Sequence, residues 1–142
     1  MSRESSIDFT FEGPLDIKGV IRGLREAGVE FDREGISYFV NAGDDLYDWI
    51  RADSADLDAV LCLIENSWIS GSVSGVAVGI RNSESGGDLL FFPGHSRVTF
   101  SASVNKRLIS ESSKFADLGW YCKFFIPILE PFGLVAVNSS DF

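Results

Sequence analysis

The chain predicts an α+β domain: a mostly antiparallel sheet with helices on one face. Three observations lead there. Short segments with an apolar residue at every second position recur along the chain, as half-buried strands require. Three longer segments place apolar residues at three- and four-residue spacing instead, the helical period. Strands outnumber helices and follow one another directly in several places, which favours antiparallel pairing over a doubly wound parallel sheet.

The elements follow in order. IDFTFE (7–12) alternates Ile7, Phe9 and Phe11 with polar residues, and Gly13-Pro14 stops it. Asp16 is the expected N-cap of a helix with the stripe Ile17, Val20, Ile21 and Leu24, and Gly28 its C-terminal stop. VEFDREGISYFV (29–40) predicts a hairpin around DREG, with Ile36, Tyr38 and Val40 on one face. Leu57, Val60, Leu61, Ile64 and Trp68 predict a helix over about 54–67, with Asp53 or Ser54 as its cap. SVSGVAVGIR (72–81) puts Val76, Val78 and Ile80 on one face of a strand and Gly75, Ala77 and Gly79 on the other, so another group can approach the bare face closely. DLLFFP (88–93) and RVTFSAS (97–103) form a second antiparallel pair around PGHS. Ser112 or Ser113 is expected to cap a third helix with Phe115, Leu118, Cys122 and Phe125 inward, kinked or restarted at Pro127, and LVAV (134–137) closes the sheet.

The predicted order is β-α-β-β-α-β-β-β-α-β. Its first six elements match the split pattern of a ferredoxin-like fold, and β-β-α-β extends it. No linker or repeat interrupts the 142 residues, so 1–142 is read as one domain, large enough to bury roughly two thirds of its unfolded surface without metal or disulfide staples.

Charge narrows the functional classes. The net charge is −9, and its excess lies wholly in residues 1–65; residues 66–142 balance. Nucleic-acid binding needs stripes of Lys and Arg against phosphates, and anionic membranes ask the same, so both are excluded as partners. The start MSRESSIDFT has no apolar core of a signal peptide, and FFIPIL (124–129) falls far short of the ~20 residues of a span. A cytoplasmic protein is expected. Cys62 and Cys122, the two cysteines, form no metal or redox motif and read as buried apolar residues.

The charge concentrates in NAGDDLYDWIRADSADLD (41–58), six aspartates around Tyr47 and Trp49. Asp44-Asp45-Leu46-Tyr47-Asp48 spells the DDxxD of magnesium-diphosphate enzymes, but those carry it on helices of large all-helical proteins. Calcium fails too: counted from Asp53 as an EF-hand loop, Ala55 and Asp58 occupy positions that need an acid and a glycine. No metal site is expected, and no cofactor. His95 is the single histidine, and no nucleophile–base motif accompanies it, so no catalytic residue is assigned. Asp53 and Asp56 have a local use in starting the second helix. Asp44, Asp45 and Asp48 do not, and with aromatic neighbours they suggest a recognition patch, since Trp and Tyr are common binding hot spots. A solvated turn that plugs Leu46, Trp49 and Ile50 onto the core is the plainer reading of the same stretch.

In its acid-plus-aromatic stretch GDDLYDWIRADSADLD and its confinement of charge to residues 1–65, the chain resembles the immunity proteins of bacterial toxin systems. The resemblance implies a binding protein that neutralises a cognate toxin, basic and in many cases a nuclease, through Asp44, Asp45, Tyr47, Asp48, Trp49 and Asp53. The alternative is a small ligand-binding or regulatory ferredoxin-like module acting as a homodimer through the Gly75/Ala77/Gly79 face.

Overall fold

The structure is a computed structural model and describes residues 4–40 and 48–142. Eight strands form one sheet: β1 (Ser5–Phe11), β2 (Val29–Glu30), β3 (Ile36–Val40), β4 (Ile50–Ala52), β5 (Ser74–Ile80), β6 (Gly86–Phe92), β7 (Arg97–Val104) and β8 (Leu134–Asp141). Three helices interrupt them: α1 (Ile17–Ala27), α2 (Leu57–Ile69) and α3 (Leu118–Leu129). The sheet order is β4-β3-β5-β6-β7-β1-β8, and every pairing between these strands is antiparallel. The expected α+β class is what the chain adopts.

The connections differ from a ferredoxin-like split pair, because β1 lies between β7 and β8 rather than beside the strand that follows α2. The expected 29–40 hairpin does not form either. β2 pairs with Ile80 and Gly79 of β5, while β3 pairs with Val76, Gly75 and Ser74, so the two strands lie end to end along one edge of β5. Arg33 explains the break between them. Its guanidinium donates to Ile80 O at 2.6 Å and to Ser85 O at 3.3 Å, and it pairs with Glu30 at 2.6 Å, crossing the bare backbone at Gly79. A turn pinned to β5 in this way cannot bring β2 and β3 side by side.

The core is one continuous cluster between the sheet and the helices. Ile7, Phe9 and Phe11 of β1 meet Val98 and Phe100 of β7, Leu89 and Phe91 of β6, and Val76, Val78 and Ile80 of β5 on this side. Over them, α2 packs on β3 and β5, α1 lies in the middle, and α3 covers β1 and β8. The helix α1 starts where Asp16 accepts from Gly19 N at 3.1 Å and stops at Gly28, whose φ of 111° suits only glycine.

The third helix begins later than expected. Asp117 accepts from Trp120 N at 3.2 Å and so displaces Ser112 and Ser113 as the cap. Phe115 is therefore left outside the helix and exposed, and the buried stripe is Tyr121, Phe125 and Leu129, with Cys122 only half-buried. The helix continues through Pro127 to Leu129.

The other face of the sheet is polar and open. Asp8 accepts from the Thr99 hydroxyl at 2.7 Å across neighbouring strands, and Ser6, Ser101 and Asp88 align in the next row. Burial raises the pKa of Asp88, a half-buried carboxyl between Ala77 and Ser101. At the β4 end this face has its own small apolar cluster, built on Phe39.

Candidate functional site: the β4–α2 edge

One end of the sheet is closed by β4, a strand of three residues that the alternation pattern did not predict. Trp49 and Ile50 enter it and Asp53 leaves it. Tyr38 is opposite Ile50 in the pairing with β3, and its inward direction puts Ile50 on the α2 side of the sheet. Trp49, one residue earlier, falls on the open face, where it meets Phe39 edge-on at 4.9 Å. Phe39 itself is fully buried, because its ring lies over Gly75, a position where any Cβ would collide with it.

From Asp53 the chain makes a 3-10 turn (Ser54–Asp56) and enters α2. The expected capping by Asp53 is not made by its side chain. The backbone closes the turn instead, with Asp56 N donating to Asp53 O at 2.9 Å, and neither aspartate makes a side-chain cap bond. Asp48, Asp53, Asp56 and Asp58 are all exposed; Asp53 and Asp56 share a concavity with Arg51, and Asp58 pairs with Arg25 of α1 at 3.4 Å. A pair as exposed as this contributes little to stability.

The helix α2 turns Val60, Leu61, Ile64 and Ser67 inward, as its apolar spacing predicts. Its outer side is not polar. Ala59, Cys62, Leu63 and Ile69 are exposed, Leu63 at 44% and Ile69 at 68%, and the helix carries only two charges, Asp58 and Glu65. Cys62 is thus not the buried thiol that was expected. It follows Leu61 by one residue, about 100° around a helix of 3.6 residues per turn, which swings it from core to solvent. Cys122 is half-buried, and burial pushes its thiol pKa up.

Of the six residues expected to bind a partner, Asp48, Trp49 and Asp53 lie together at this edge and face solvent, Trp49 at 42%. Asp44, Asp45 and Tyr47 lie outside the described residues. Ile50, Cys62, Leu63 and Ile69 were missed. The signal was present in LDAVLCLIENSWI, a helix apolar on nearly all sides, which must be buried throughout or leave an apolar strip outside.

A cleft lies on the open face. It has a volume of about 760 Å³ at the ends of β2, β3, β5 and β6, with Arg33, Arg51, Arg81, Glu30, Glu34 and Glu84 on its walls. Arg33 is held by Glu30, and Arg51 donates to Glu34 O at 3.1 Å. Among the described residues no three of His, Cys, Asp or Glu are grouped to hold a metal ion. His95 is exposed in the turn between β6 and β7.

Compared with known proteins, the chain matches no family model, no curated relative and no solved structure. Among the described residues no helix is long and apolar enough to cross a membrane.

Proposed function

We propose that the chain is an acidic protein-binding module of the cytoplasm that neutralises a basic toxin, as immunity proteins do, and that it binds through the β4–α2 edge. One observation supports this reading above the others: Trp49 and Ile50 at β4 and Leu63 and Ile69 of α2 are exposed, and between the two elements the exposed aspartates Asp53 and Asp56 outnumber the one cation there, Arg51. Apolar anchors inside a charged rim are the anatomy of a tight interface. The aspartates accelerate encounter with a basic surface, and the apolar anchors slow its release. The role is binding rather than catalysis.

The test begins with capture of partners from the native host at low salt and release at high salt. Once the partner is purified, the triple variant Asp53→Asn, Asp56→Asn, Asp58→Asn should lower its association rate toward the neutral range of about 10⁵–10⁶ M⁻¹s⁻¹ and flatten the salt dependence. Leu63→Asp should instead accelerate dissociation. A partner whose kinetics ignore both salt and these substitutions rules the reading out.

The cleft supports a second reading, that of a small-ligand module. Its volume lies within the range of ligand sites, about 300–1,000 Å³. It ranks second because such sites are mostly apolar, whereas this one is walled by charged groups, of which Arg33 is already held by Glu30. A melting temperature that rises with a metabolite, and fails to rise in Arg81→Ala, would favour it.

A further inference from the structure

The opposite edge of the sheet is closed by β8, and it is built quite differently. The strand is eight residues long and pairs along its length with β1, from Ser5–Asp141 to Phe11–Leu134. Among the described residues no strand lies on its other side. Val135, Ala136, Val137, Asn138, Ser139 and Ser140 are all exposed, so the strand meets solvent along its outer edge beside α3. Alternate residues of an antiparallel strand direct their N–H and C=O groups away from the neighbour they pair with, and on β8 these groups form an open template for another strand.

Natural edge strands are usually blunted by charge, proline or extreme shortness. Here β4 is blunted by its three-residue length, with Arg51 at its centre. The edge of β8 has one such device, a bulge at Val135, the residue left between the Ala136–Thr10 and Leu134–Phe11 pairs. Residues 134–140 contain neither a charge nor a proline. Asp141, the one charged residue of the strand, is turned to internal use: it accepts from Ser5 Oγ at 2.8 Å and from Ala116 N at 2.7 Å.

We infer that β8 is the dimerisation strand of this protein, pairing antiparallel with β8 of a second copy to join two sheets into one. A second copy fits better than a foreign strand for two reasons. In a chain of net charge −9, self-association over most of the surface sets acid against acid, and this edge is a long stretch where two copies meet without charge. The sequence is also self-complementary. With Ala136 on the two-fold axis, the uncharged stretch from Leu134 to Asn138 of each copy lies against the same stretch of the other. The edge is about 26 Å long and, with the α3 layer, about 20 Å tall. Each copy would bury about 500 Å², so the total sits near the ~1,000 Å² lower bound of specific interfaces. The dimer is therefore weak and reversible, and it leaves the β4–α2 edge of each copy free at the far ends.

Sedimentation equilibrium of the full chain tests this directly. The apparent mass should rise with concentration toward twice the 15.6 kDa of one chain. The double variant Val135→Lys, Val137→Lys should stay monomeric with an unchanged melting temperature, because both side chains are already exposed. In a Cys62→Ser background, Ala136→Cys should give a covalent dimer on mild oxidation, since residues on the axis of an antiparallel pair lie within disulfide reach. A chain that is monomeric throughout overturns the inference. So does a dimer that survives both lysines, or one that Ala136→Cys fails to link. Protection of β8 amides only in the presence of a foreign protein also overturns it, in favour of a strand donated by that partner.

Discussion

Trp49 stands edge-on to Phe39, with ring centroids 4.9 Å apart and planes at 76°. One indole therefore serves two purposes: its inner edge shields a buried phenyl, and its outer side stays with solvent. The two roles separate by mutation. Phe39→Ala should cost about 3–5 kcal/mol, the range for emptying a buried aromatic site. Trp49→Ala should cost only about 1–2 kcal/mol, since it loses one ring contact and part of its buried area. Urea denaturation of the two variants and their double measures the coupling, expected at about 0.5–1.5 kcal/mol.

Gly75 is the seat on which Phe39 rests. A Cβ there would lie 2.9 Å from Leu90 Cδ2 and closer still to the Phe39 ring. Gly75→Ala should destabilise by about 1–3 kcal/mol, the usual cost of overpacking. Adding Phe39→Leu, which withdraws the ring, should recover part of that loss. Thermal melts of the single and double variants decide the matter. A double variant no better than Gly75→Ala alone would show that the strain lies on the Leu90 side.

Asp88 should make the protein less stable as pH rises. Its carboxyl is held above the ordinary value by burial, so the folded state binds a proton more tightly than the unfolded state. The stabilisation this provides is complete below the unfolded value of about 3.8 and is lost as pH climbs through the folded one. Asp88→Asn removes the charge that neutral pH forces into the site. The variant should melt higher than the parent at pH 7, and the difference should shrink at pH 4. Scanning calorimetry at the two values reads it.

Asp141 ties the 105–117 segment to the end of the sheet through Ala116 N, while also holding Ser5 Oγ. Removing the carboxylate leaves two donors short of an acceptor, at a cost of about 1–3 kcal/mol in total. Asp141→Ala should also loosen that segment. Trypsin should then cut faster after Lys106, Arg107 and Lys114, with little change at the other basic residues.

Where local chemistry decided the outcome, the fold was legible in the sequence. Asp16, the stripe from Ile17 to Leu24 and Gly28 specify α1 within thirteen residues, and the structure follows them closely. The two faces of β5 were equally plain, because alternation is a property of the strand itself. The misreadings arose where a distant partner intervened. Nothing within residues 29–40 says that β2 and β3 each prefer β5 to one another; Gly79 and the carbonyls of Ile80 and Ser85 decide that through Arg33. The start of α3 was a contest between near-equivalent caps, and Asp117 prevailed over the two serines. At the candidate site, the aspartates pointed to the β4 end of the sheet, where Asp48, Trp49 and Asp53 are exposed together. The outer strip of α2 was overlooked because periodicity identifies the residues that face inward and leaves the opposite side unexamined.

The place of β1 in the sheet has a consequence for how the molecule is made. Its two neighbours, β7 and β8, come from residues 97–104 and 134–141, so β1 has no partner in the sheet nearer in sequence than β7. Contacts so distant in sequence make folding slow, and apolar strands left uncovered invite aggregation meanwhile. Alternating serine, aspartate and threonine through β1 keeps half of it soluble during that interval. Ile7, Phe9 and Phe11 gain their first neighbour in the sheet only when β7 is in place.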